Sequence, residues 1–244
     1  MTKNISKTVL LCFLLFTFPF QSNASKGELV ERGGVLYEKF SNIPFTGQVS
    51  GKAVGGKVKN GKLKYEPNYK NDKLEGENLY YYDNGQLQYK ENYKNGKLEG
   101  EQLSYHYNGQ LKKKYNFKNS KREGEDTGYY DNGKLQSKSN YKNGKLDGDL
   151  IKYYKSGKLQ SKSNYKNGKR DGEANFYDGN GQLQSKSNYK NGKLEGERLY
   201  YYDNGQLRFR SNYKNGKREG DSVSYDENGQ LQFKSNYKNG KMIR

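Results

Sequence analysis

The most regular feature of this sequence is an alternation of apolar and polar positions in short runs. Two examples are ENLYYYD at 77–83 and LQYKENY at 87–93, in which Leu and Tyr recur at intervals of two residues. A period of two over this length indicates a half-exposed β-strand, and the frequent glycines leave no run long enough for a helix. The pattern therefore predicts pairs of antiparallel strands and an all-β chain.

The same pattern returns every 24 residues. An aromatic residue between Asn and Lys recurs at 69, 93, 117, 141, 165, 189, 213 and 237. Seven units run from 73 to 240 without one insertion. A disordered segment has no reason to keep register over that length, so the repeat indicates structural units that stack on one another.

Each unit carries two turn signals, Asp-Asn-Gly at 83–85 and Lys-Asn-Gly at 94–96. Asn-Gly between alternating runs is a strong hairpin signal. We expect both to be three-residue loops, because such loops gather the odd-numbered apolar positions on one face that can be buried. These positions are Leu79, Tyr81, Leu87, Tyr89, Tyr93, Leu103 and Tyr105. In that register Leu87 lies opposite Tyr81 on one side and Leu103 on the other.

The fold predicted from these signals is an elongated antiparallel β-meander of 24-residue β-hairpin repeats. It forms a single-layer twisted ribbon of about 16–18 strands. Three regions are expected: a signal peptide at 1–24, a degenerate hairpin or cap region at 25–60, and the repeat array at 61–244. The Leu/Tyr face is covered either by curling of the ribbon or by a second chain.

The N-terminal segment has the layout of a secretory signal peptide. Lys3 and Lys7 precede an apolar run at 9–20, and Ser22-Asn23-Ala24 supplies the small residues of a cleavage site. The run is too short to span a membrane. We therefore expect an exported chain, located in the periplasm, at the cell surface or outside the cell. Cys12 is the only cysteine and would be removed with this segment.

Basic residues outnumber acidic ones, 45 to 27, which gives a formal net charge of +18. A basic ribbon with exposed tyrosines can bind anionic polymers. In the sequence, however, lysines alternate with acidic residues in every unit and form no patch. Solubility and protection of the sheet edges are the other explanation of the charge. Weak polyanion binding therefore stays an alternative.

No residue of the repeats forms a recognisable catalytic centre, and no cofactor is predicted. The single histidine, His106, occupies a column that holds Tyr82, Tyr130, Tyr154 and Tyr202 in other units, so we expect it to replace a tyrosine. Two acidic columns, which begin at Glu75 and Glu77, could bind Ca²⁺. Charge balance with the lysine columns at 70 and 73 is the favoured interpretation, so no metal site is predicted.

The phrases YYDNGQLQYKENYKNGKLEGE at 81–101 and YYDNGQLRFRSNYKNGKREGD at 201–221 resemble the MORN-repeat variant, in particular the YwqK-type bacterial antitoxin family. The segment VLYEKFSNIPFTGQV at 35–49 is similar to the opening of that family. The resemblance covers about 35–244 and implies a non-enzymatic β-hairpin array. The choline-binding hairpin repeats of surface proteins look related, but their ligand cages depend on tryptophan, which this chain lacks.

The leading functional hypothesis is an interaction or adhesion scaffold at the bacterial cell envelope or surface. Its partner would be a protein or glycan there. The alternative that the resemblance implies is an antitoxin or immunity protein that neutralises a cognate toxin by protein–protein binding. The candidate contact residues are the tyrosines expected on the outer face, Tyr80, Tyr82, Tyr130, Tyr154, Tyr200 and Tyr202. Cross-strand pairs that stabilise the strands are the other explanation of these residues.

Overall fold

The computed structural model describes residues 29–32, 35–38, 47–51, 54–59, 62–71 and 73–243, with side chains from residue 67 onward. The predicted signal peptide at 1–24 lies outside the described residues. The predicted cap region at 25–60 is described only in part, so the proposed boundaries stay predictions. Within the described ranges the chain forms strands and turns and no helix, hence no helix that could cross a membrane.

The strands fall into an irregular N-terminal group and a regular array. The first group comprises β1 Leu29–Arg32, β2 Val35–Glu38, β3 Gly47–Gly51, β4 Val54–Lys59, β5 Lys62–Glu66, β6 Tyr69–Lys70 and β7 Lys73–Leu74. The array comprises β8 Gly76–Tyr81, β9 Leu87–Lys94, β10 Lys97–Leu98, β11 Gly100–Tyr105, β12 Leu111–Lys118, β13 Lys121–Arg122, β14 Gly124–Tyr129, β15 Leu135–Lys142, β16 Lys145–Tyr153, β17 Leu159–Lys166, β18 Lys169–Tyr177, β19 Leu183–Lys190, β20 Lys193–Tyr201, β21 Leu207–Lys214, β22 Lys217–Tyr225, β23 Leu231–Lys238 and β24 Lys241–Met242.

The pairings form an open antiparallel sheet that runs along the chain. Each long strand from β8 onward pairs with the long strand before it and the one after it, while β1–β2 and β6–β7 are separate two-stranded sheets. Strands contact only their neighbours along the chain, so the described array is a single layer. The predicted meander of hairpin repeats is confirmed. The structure divides it into more segments than predicted, because bends at glycines such as Gly100 split some strands in two.

The Asp-Asn-Gly loop has the predicted length. The amide of Tyr82 donates to the carbonyl of Gln86 at 2.8 Å, and the amide of Gly85 donates to the carbonyl of Tyr82 at 2.9 Å. These bonds enclose three residues, and Gly85 has a φ of +85°. Tyr81 lies opposite Leu87, as predicted. A turn followed by a left-handed glycine explains this geometry.

The Lys-Asn-Gly loop is shorter than predicted. Lys94 pairs directly with Lys97, which leaves only Asn95 and Gly96 in the loop. Both have positive φ, +50° and +75°, as a type I′ turn requires. Asn and Gly tolerate this conformation, and the turn matches the twist of the strands. The prediction of a three-residue loop here was wrong.

The predicted Leu/Tyr face is also wrong. Next to the Asp-Asn-Gly loop the register shifts by one residue, so that Tyr89 pairs with Tyr80. On the other side Leu103 lies opposite Lys90 and not opposite Leu87. Since a shift of one residue moves a side chain to the other face, Tyr89 is separated from Tyr81. The odd-numbered apolar residues are therefore divided between two faces.

Two faces can be defined on one unit of the array. The aromatic face carries Leu146, Leu150, Lys152, Ser161, Ser163 and Tyr165 and their equivalents every 24 residues. The ion-pair face carries Asp149, Ile151, Tyr153, Lys162 and Asn164 and their equivalents. The buried side chains are mostly small and polar, and Ala174 and Val223 are the only buried hydrophobic ones described. A single layer leaves large side chains partly exposed on both faces.

Candidate binding face

Four of the six predicted contact tyrosines connect one repeat to the next. Each occupies the position just before the Asp-Asn-Gly loop or its equivalent, and its hydroxyl donates to a main-chain carbonyl 23 residues further on. These bonds are Tyr82 to Tyr105 at 2.8 Å, Tyr130 to Tyr153 at 2.7 Å, Tyr154 to Tyr177 at 2.8 Å and Tyr202 to Tyr225 at 2.9 Å. His106 makes the equivalent contact through Nε2 to the carbonyl of Tyr129 at 2.9 Å, so its prediction as a tyrosine replacement is confirmed.

The remaining two predicted tyrosines, Tyr80 and Tyr200, lie on the aromatic face. Tyr80 packs edge-on against Tyr89, with ring centroids 6.3 Å apart, and Tyr200 packs against Phe209 at 6.2 Å. Tyr200 and Tyr202 meet at an open groove of about 520 Å³, which Arg208 also lines. The contact role of all six stays a prediction.

The first acidic column fixes the tips of the Asn-Gly hairpins. One carboxylate oxygen accepts a hydrogen bond from the main-chain amide of the asparagine in the next Asn-Gly turn along the chain, at 2.7–3.0 Å. The pairs are Glu75 with Asn95, Glu99 with Asn119, Glu123 with Asn143, Asp147 with Asn167, Asp171 with Asn191, Glu195 with Asn215 and Glu219 with Asn239. A carboxylate is a strong acceptor for such an amide. This column is therefore used in stacking the repeats.

The second acidic column forms ion pairs with lysines of the neighbouring strand. The pairs are Glu77–Lys90, Glu101–Lys114, Glu125–Lys138, Asp149–Lys162, Glu173–Lys186 and Asp221–Lys234. The predicted charge balance is thus present, but its lysines are not those of the columns at 70 and 73. No cluster of three or more metal-ligating side chains occurs among the described residues.

Arginines on the aromatic face are held between tyrosines of adjacent units. Nε of Arg170 donates to the hydroxyl of Tyr165 at 3.2 Å, and its Nη1 donates to that of Tyr189 at 3.2 Å. Nη1 of Arg218 donates to the hydroxyl of Tyr237 at 3.1 Å. The guanidinium carbons lie 5.2 and 5.1 Å from the centroids of the rings of Tyr189 and Tyr237, within the range of a cation–π contact. We call these arrangements arginine–tyrosine clamps.

The clamps differ in how much of their charge is compensated. The hydrogen bond with Tyr165 raises the pKa of Arg170 above its ordinary value. Arg122 occupies the same column, but it forms an ion pair with Asp126 at 2.9 Å. Burial raises the pKa of Asp126 in spite of this arginine. The positive charge of Arg122 is therefore compensated by Asp126, whereas Arg170 has no carboxylate partner among the described residues.

The arginine–tyrosine clamps were not predicted from the sequence, although the sequence contains a pattern that points to them. The clamp column begins with Leu74 and from Leu98 onward alternates in type: Leu98, Arg122, Leu146, Arg170, Leu194, Arg218 and Met242. Arginine thus returns every 48 residues, a second period superposed on that of 24. The tyrosines that hold it come from the Asn-Tyr-Lys column, which was assigned to the wrong face. Without the correct register the two columns do not meet.

The aromatic face of the later units is cationic. Lys152, Arg170, Arg198 and Arg218 lie on this face in strands β16, β18, β20 and β22. The acidic residues of these strands are those of the two columns already described: the second column lies on the ion-pair face, and the first binds the amides of the Asn-Gly turns. The alternation of charges along the sequence therefore becomes a separation between two faces.

Buried polar atoms without a partner lie beside this row. Nε of Arg198 and Oγ of Ser211 are both inaccessible and lack a hydrogen-bond partner, and the two residues are directly opposite each other across β20 and β21. The guanidinium carbon of Arg198 lies 4.9 Å from the centroid of the ring of Tyr200. Buried polar atoms in proteins normally have a partner. The Arg198–Ser211 pair therefore has unused hydrogen-bonding capacity.

The fold and these contacts define a tandem β-hairpin repeat protein in which each unit binds the next through side chains. The repeat matches the MORN repeat variant seven times, at 74–95, 98–119, 122–143, 146–167, 170–191, 194–215 and 218–239. These matches cover more than half of the sequence, and the chain belongs to the MORN repeat variant family. The match identifies the repeat and does not extend to the YwqK-type subgroup.

Two further comparisons add little. No curated protein matches the sequence. A solved structure of choline binding protein F from Streptococcus pneumoniae aligns with 91% of this chain and 100% of its own, at 15% identity and a TM-score of 0.20. At that TM-score the two backbones do not superpose, and the alignment supports no statement about ligands.

Proposed function

We propose that this chain is an exported, non-enzymatic interaction or adhesion scaffold at the bacterial cell envelope or surface. Its partner is a protein or glycan that binds along the aromatic face. The main support for the proposal is that two sets of polar groups have different roles. The acidic columns and the tyrosines before the Asp-Asn-Gly loops hold the repeats together, while the arginines of the aromatic face keep unused donors.

The repetition of the sites supports binding over catalysis. A catalytic centre needs a few groups held in one geometry, with a nucleophile, acid or base that differs from its surroundings. Here the same contacts return in each unit, as with the seven carboxylates that bind the turn amides. An extended row of similar sites suits a partner that is itself long or repetitive.

The second candidate is an antitoxin or immunity protein that neutralises a cognate toxin by protein–protein binding. The family match and the regular exposed faces are compatible with such a role. The two candidates differ in location, because an antitoxin that protects a cytoplasmic target stays inside the cell. Location is therefore the first property to measure.

The localisation experiment uses the full chain with a C-terminal tag, expressed in a bacterium that is then fractionated. We expect the protein outside the cytoplasm, beginning at Ser25 when its N-terminus is determined by mass spectrometry. The control is a variant with Leu14→Arg and Leu15→Arg, which interrupt the apolar run and should keep the protein in the cytoplasm. A wild-type chain that stays in the cytoplasm with residues 1–24 attached would contradict export and favour the antitoxin candidate.

The binding experiment measures association of the purified 25–244 chain with isolated bacterial envelopes. We expect saturable binding that survives washing at about 0.15 M ionic strength, where long-range attraction between exposed charges is largely screened. A globular protein of similar net charge serves as the control for non-specific adsorption. Binding no stronger than that control would contradict a scaffold role at the envelope.

A further inference from the structure

We infer that the aromatic face of the last four repeats binds an acidic polysaccharide, with Arg170, Arg198 and Arg218 as its anion-binding residues. The inference deepens the proposed scaffold function and rests on it. It names the class of partner and the residues that recognise it. The arginines on this face carry N–H donors that the protein holds in place but does not use.

The arginine–tyrosine clamps present oriented donors to solvent. Arg170 has five N–H groups, and its two hydrogen bonds to tyrosine hydroxyls leave the others without a partner among the described residues. Tyr165 and Tyr189 accept these bonds, so their own O–H groups remain available to another acceptor. Arg218 and Tyr237 repeat the arrangement. A carboxylate or sulfate group beside a clamp can therefore accept hydrogen bonds from both residue types.

Arg198 supplies an anion-binding residue midway between the two clamps. Its Nε and the hydroxyl of Ser211 are buried and have no partner. Because both atoms are inaccessible in the unbound protein, a polar ligand satisfies them only with a shift of the Arg198 side chain, and it then relieves their desolvation cost. Arg198 stacks on Tyr200, which restricts the orientation of the guanidinium.

Among the described residues of the later units, no carboxylate on the aromatic face competes with a ligand for the arginines. This indicates a defined anion-binding site and not only a diffuse positive charge. In the described strands β16 to β22, every acidic residue except Glu197 pairs with a lysine of the ion-pair face or with a turn amide, and Glu197 itself lies on the ion-pair face. The arginines of the aromatic face are not compensated in this way. Attraction of an anion is therefore directed to one face, in spite of the alternation of charges along the sequence.

The spacing of the arginines favours a polysaccharide over nucleic acid. Arg170, Arg198 and Arg218 lie on every second strand, so along the sheet they are about 10 Å apart. A DNA strand carries a phosphate about every 3.4 Å, which is much denser. A polysaccharide with an acidic group on every second sugar has sparser charges. Tyr189, Phe176 and Phe209 beside the arginines offer flat surfaces for the apolar sides of sugars.

The test variant is Arg170→Leu with Arg218→Leu. Leucine is the residue that the same column carries in alternate units, at Leu146 and Leu194, so the fold has already accommodated it. Binding of the 25–244 chain is measured with hyaluronan, which carries a carboxylate on every second sugar, and with heparin, a more densely charged sulfated polymer. We expect the double variant to bind at least one of them about 10-fold or more weakly, because each lost contact is a charge-assisted hydrogen bond.

The matched control removes the same charge elsewhere. Lys166→Gln with Lys214→Gln alters two exposed lysines at the tips of the Asn-Gly hairpins, and we expect less than about 3-fold weakening. A third variant, Leu194→Arg, places an arginine between Tyr189 and Tyr213 and should build an additional clamp. We expect tighter binding from it. Far-UV circular dichroism verifies that all variants keep the sheet.

Three results would overturn the inference. The first is equal weakening by the arginine and the lysine pairs, which means diffuse charge only. The second is tighter binding of single-stranded DNA than of either polysaccharide, with the same dependence on the arginines. The third is no binding of hyaluronan or heparin by the wild-type chain. If that chain still binds isolated envelopes, the scaffold function stands and only the acidic polysaccharide is excluded as its partner.

Discussion

Tyrosine has three different roles within a single repeat. Tyr153 lies on the ion-pair face, where it pairs with Leu159 of the neighbouring strand. Tyr154 donates its hydroxyl to the carbonyl of Tyr177 in the next unit at 2.8 Å. Tyr165 accepts a hydrogen bond from Arg170. The position in the repeat, and not the residue type, therefore determines whether a tyrosine packs, connects units or orients a cation.

The connecting role predicts a measurable loss when one hydroxyl is removed. Tyr154→Phe leaves the carbonyl of Tyr177 without this donor, so we expect the free energy of unfolding to fall by about 1 kcal/mol in urea denaturation. Tyr153→Phe, one residue away, removes a hydroxyl that makes no such bond and should change it by less than about 0.5 kcal/mol. Equal effects of the two variants would contradict a connecting role for Tyr154.

At the scale of the element, glycine determines where each strand changes register. Gly172 has a φ of +107°, and Gly196 occupies the equivalent position one unit later with a φ of +77°. An added Cβ at Gly172 would lie 3.2 Å from Cβ of Asn164, whereas no atom lies within 4 Å at Gly196. Both glycines therefore have a left-handed backbone conformation, but a side chain would meet a close neighbour only at Gly172.

Because of this difference, we expect alanine substitution to destabilise the protein more at Gly172 than at Gly196. Gly196→Ala should lower the free energy of unfolding by about 1 kcal/mol, the cost of a left-handed residue with a Cβ. Gly172→Ala should lower it by about 2–3 kcal/mol, because it adds a steric contact and a less favourable φ. Urea denaturation of the two single variants, with the wild type as reference, provides the comparison. A larger loss at Gly196 would show that the contact with Asn164 is unimportant.

At the scale of the whole molecule, successive hairpins are bound to one another at both edges of the sheet. At one edge the amide of Gly168 donates to the carbonyl of Leu146 at 2.7 Å, and Asp147 accepts from the amide of Asn167 at 3.0 Å. At the other edge Tyr154 reaches the following unit. Stability should consequently be a sum of unit and nearest-neighbour contributions.

Deletion of a complete unit tests this description. Removal of 169–192 joins Gly168 to Lys193 and restores the sequence of the repeat, so we expect a folded sheet with a modestly lower denaturation midpoint. Removal of 169–180 takes away half a unit and brings unlike strands together, which should abolish most of the sheet. Far-UV circular dichroism distinguishes the outcomes. Similar spectra for both deletions would contradict stacking of the units in register.

The ion-pair face predicts loss of stability in acid. Lys186 lowers the pKa of Glu173, and Lys234 lowers that of Asp221. A lowered folded-state pKa contributes stability above the unfolded value of about 4 and loses it as the pH falls through the folded value. We expect the urea midpoint to decrease below about pH 4. Glu173→Gln with Asp221→Asn should reduce the size of that decrease, and an unchanged pH profile would contradict the contribution of these pairs.

Much of this architecture can be read from the residues in order along the chain. Alternation with period two, a spacing of 24 residues and Asp-Asn-Gly are local signals, and they predict the strands, the repeats and one of the two loops. Replacement of a tyrosine by His106 is also visible as a change in one column. These features are predictable because neighbouring residues control backbone conformation directly.

The face on which a residue lies cannot be read in this way. It depends on the two-residue loop at Asn95-Gly96 and on the shift of register between Tyr80 and Tyr81. Both features change which residues pair across neighbouring strands. An error of one residue in this register assigns a side chain to the wrong face of the sheet. The folded sheet consequently separates lysine–carboxylate pairs from the arginine–tyrosine clamps. In its later units, a sequence in which both charges alternate thereby acquires one cationic face, because hydrogen-bond register, and not order along the chain, determines which side chains are neighbours.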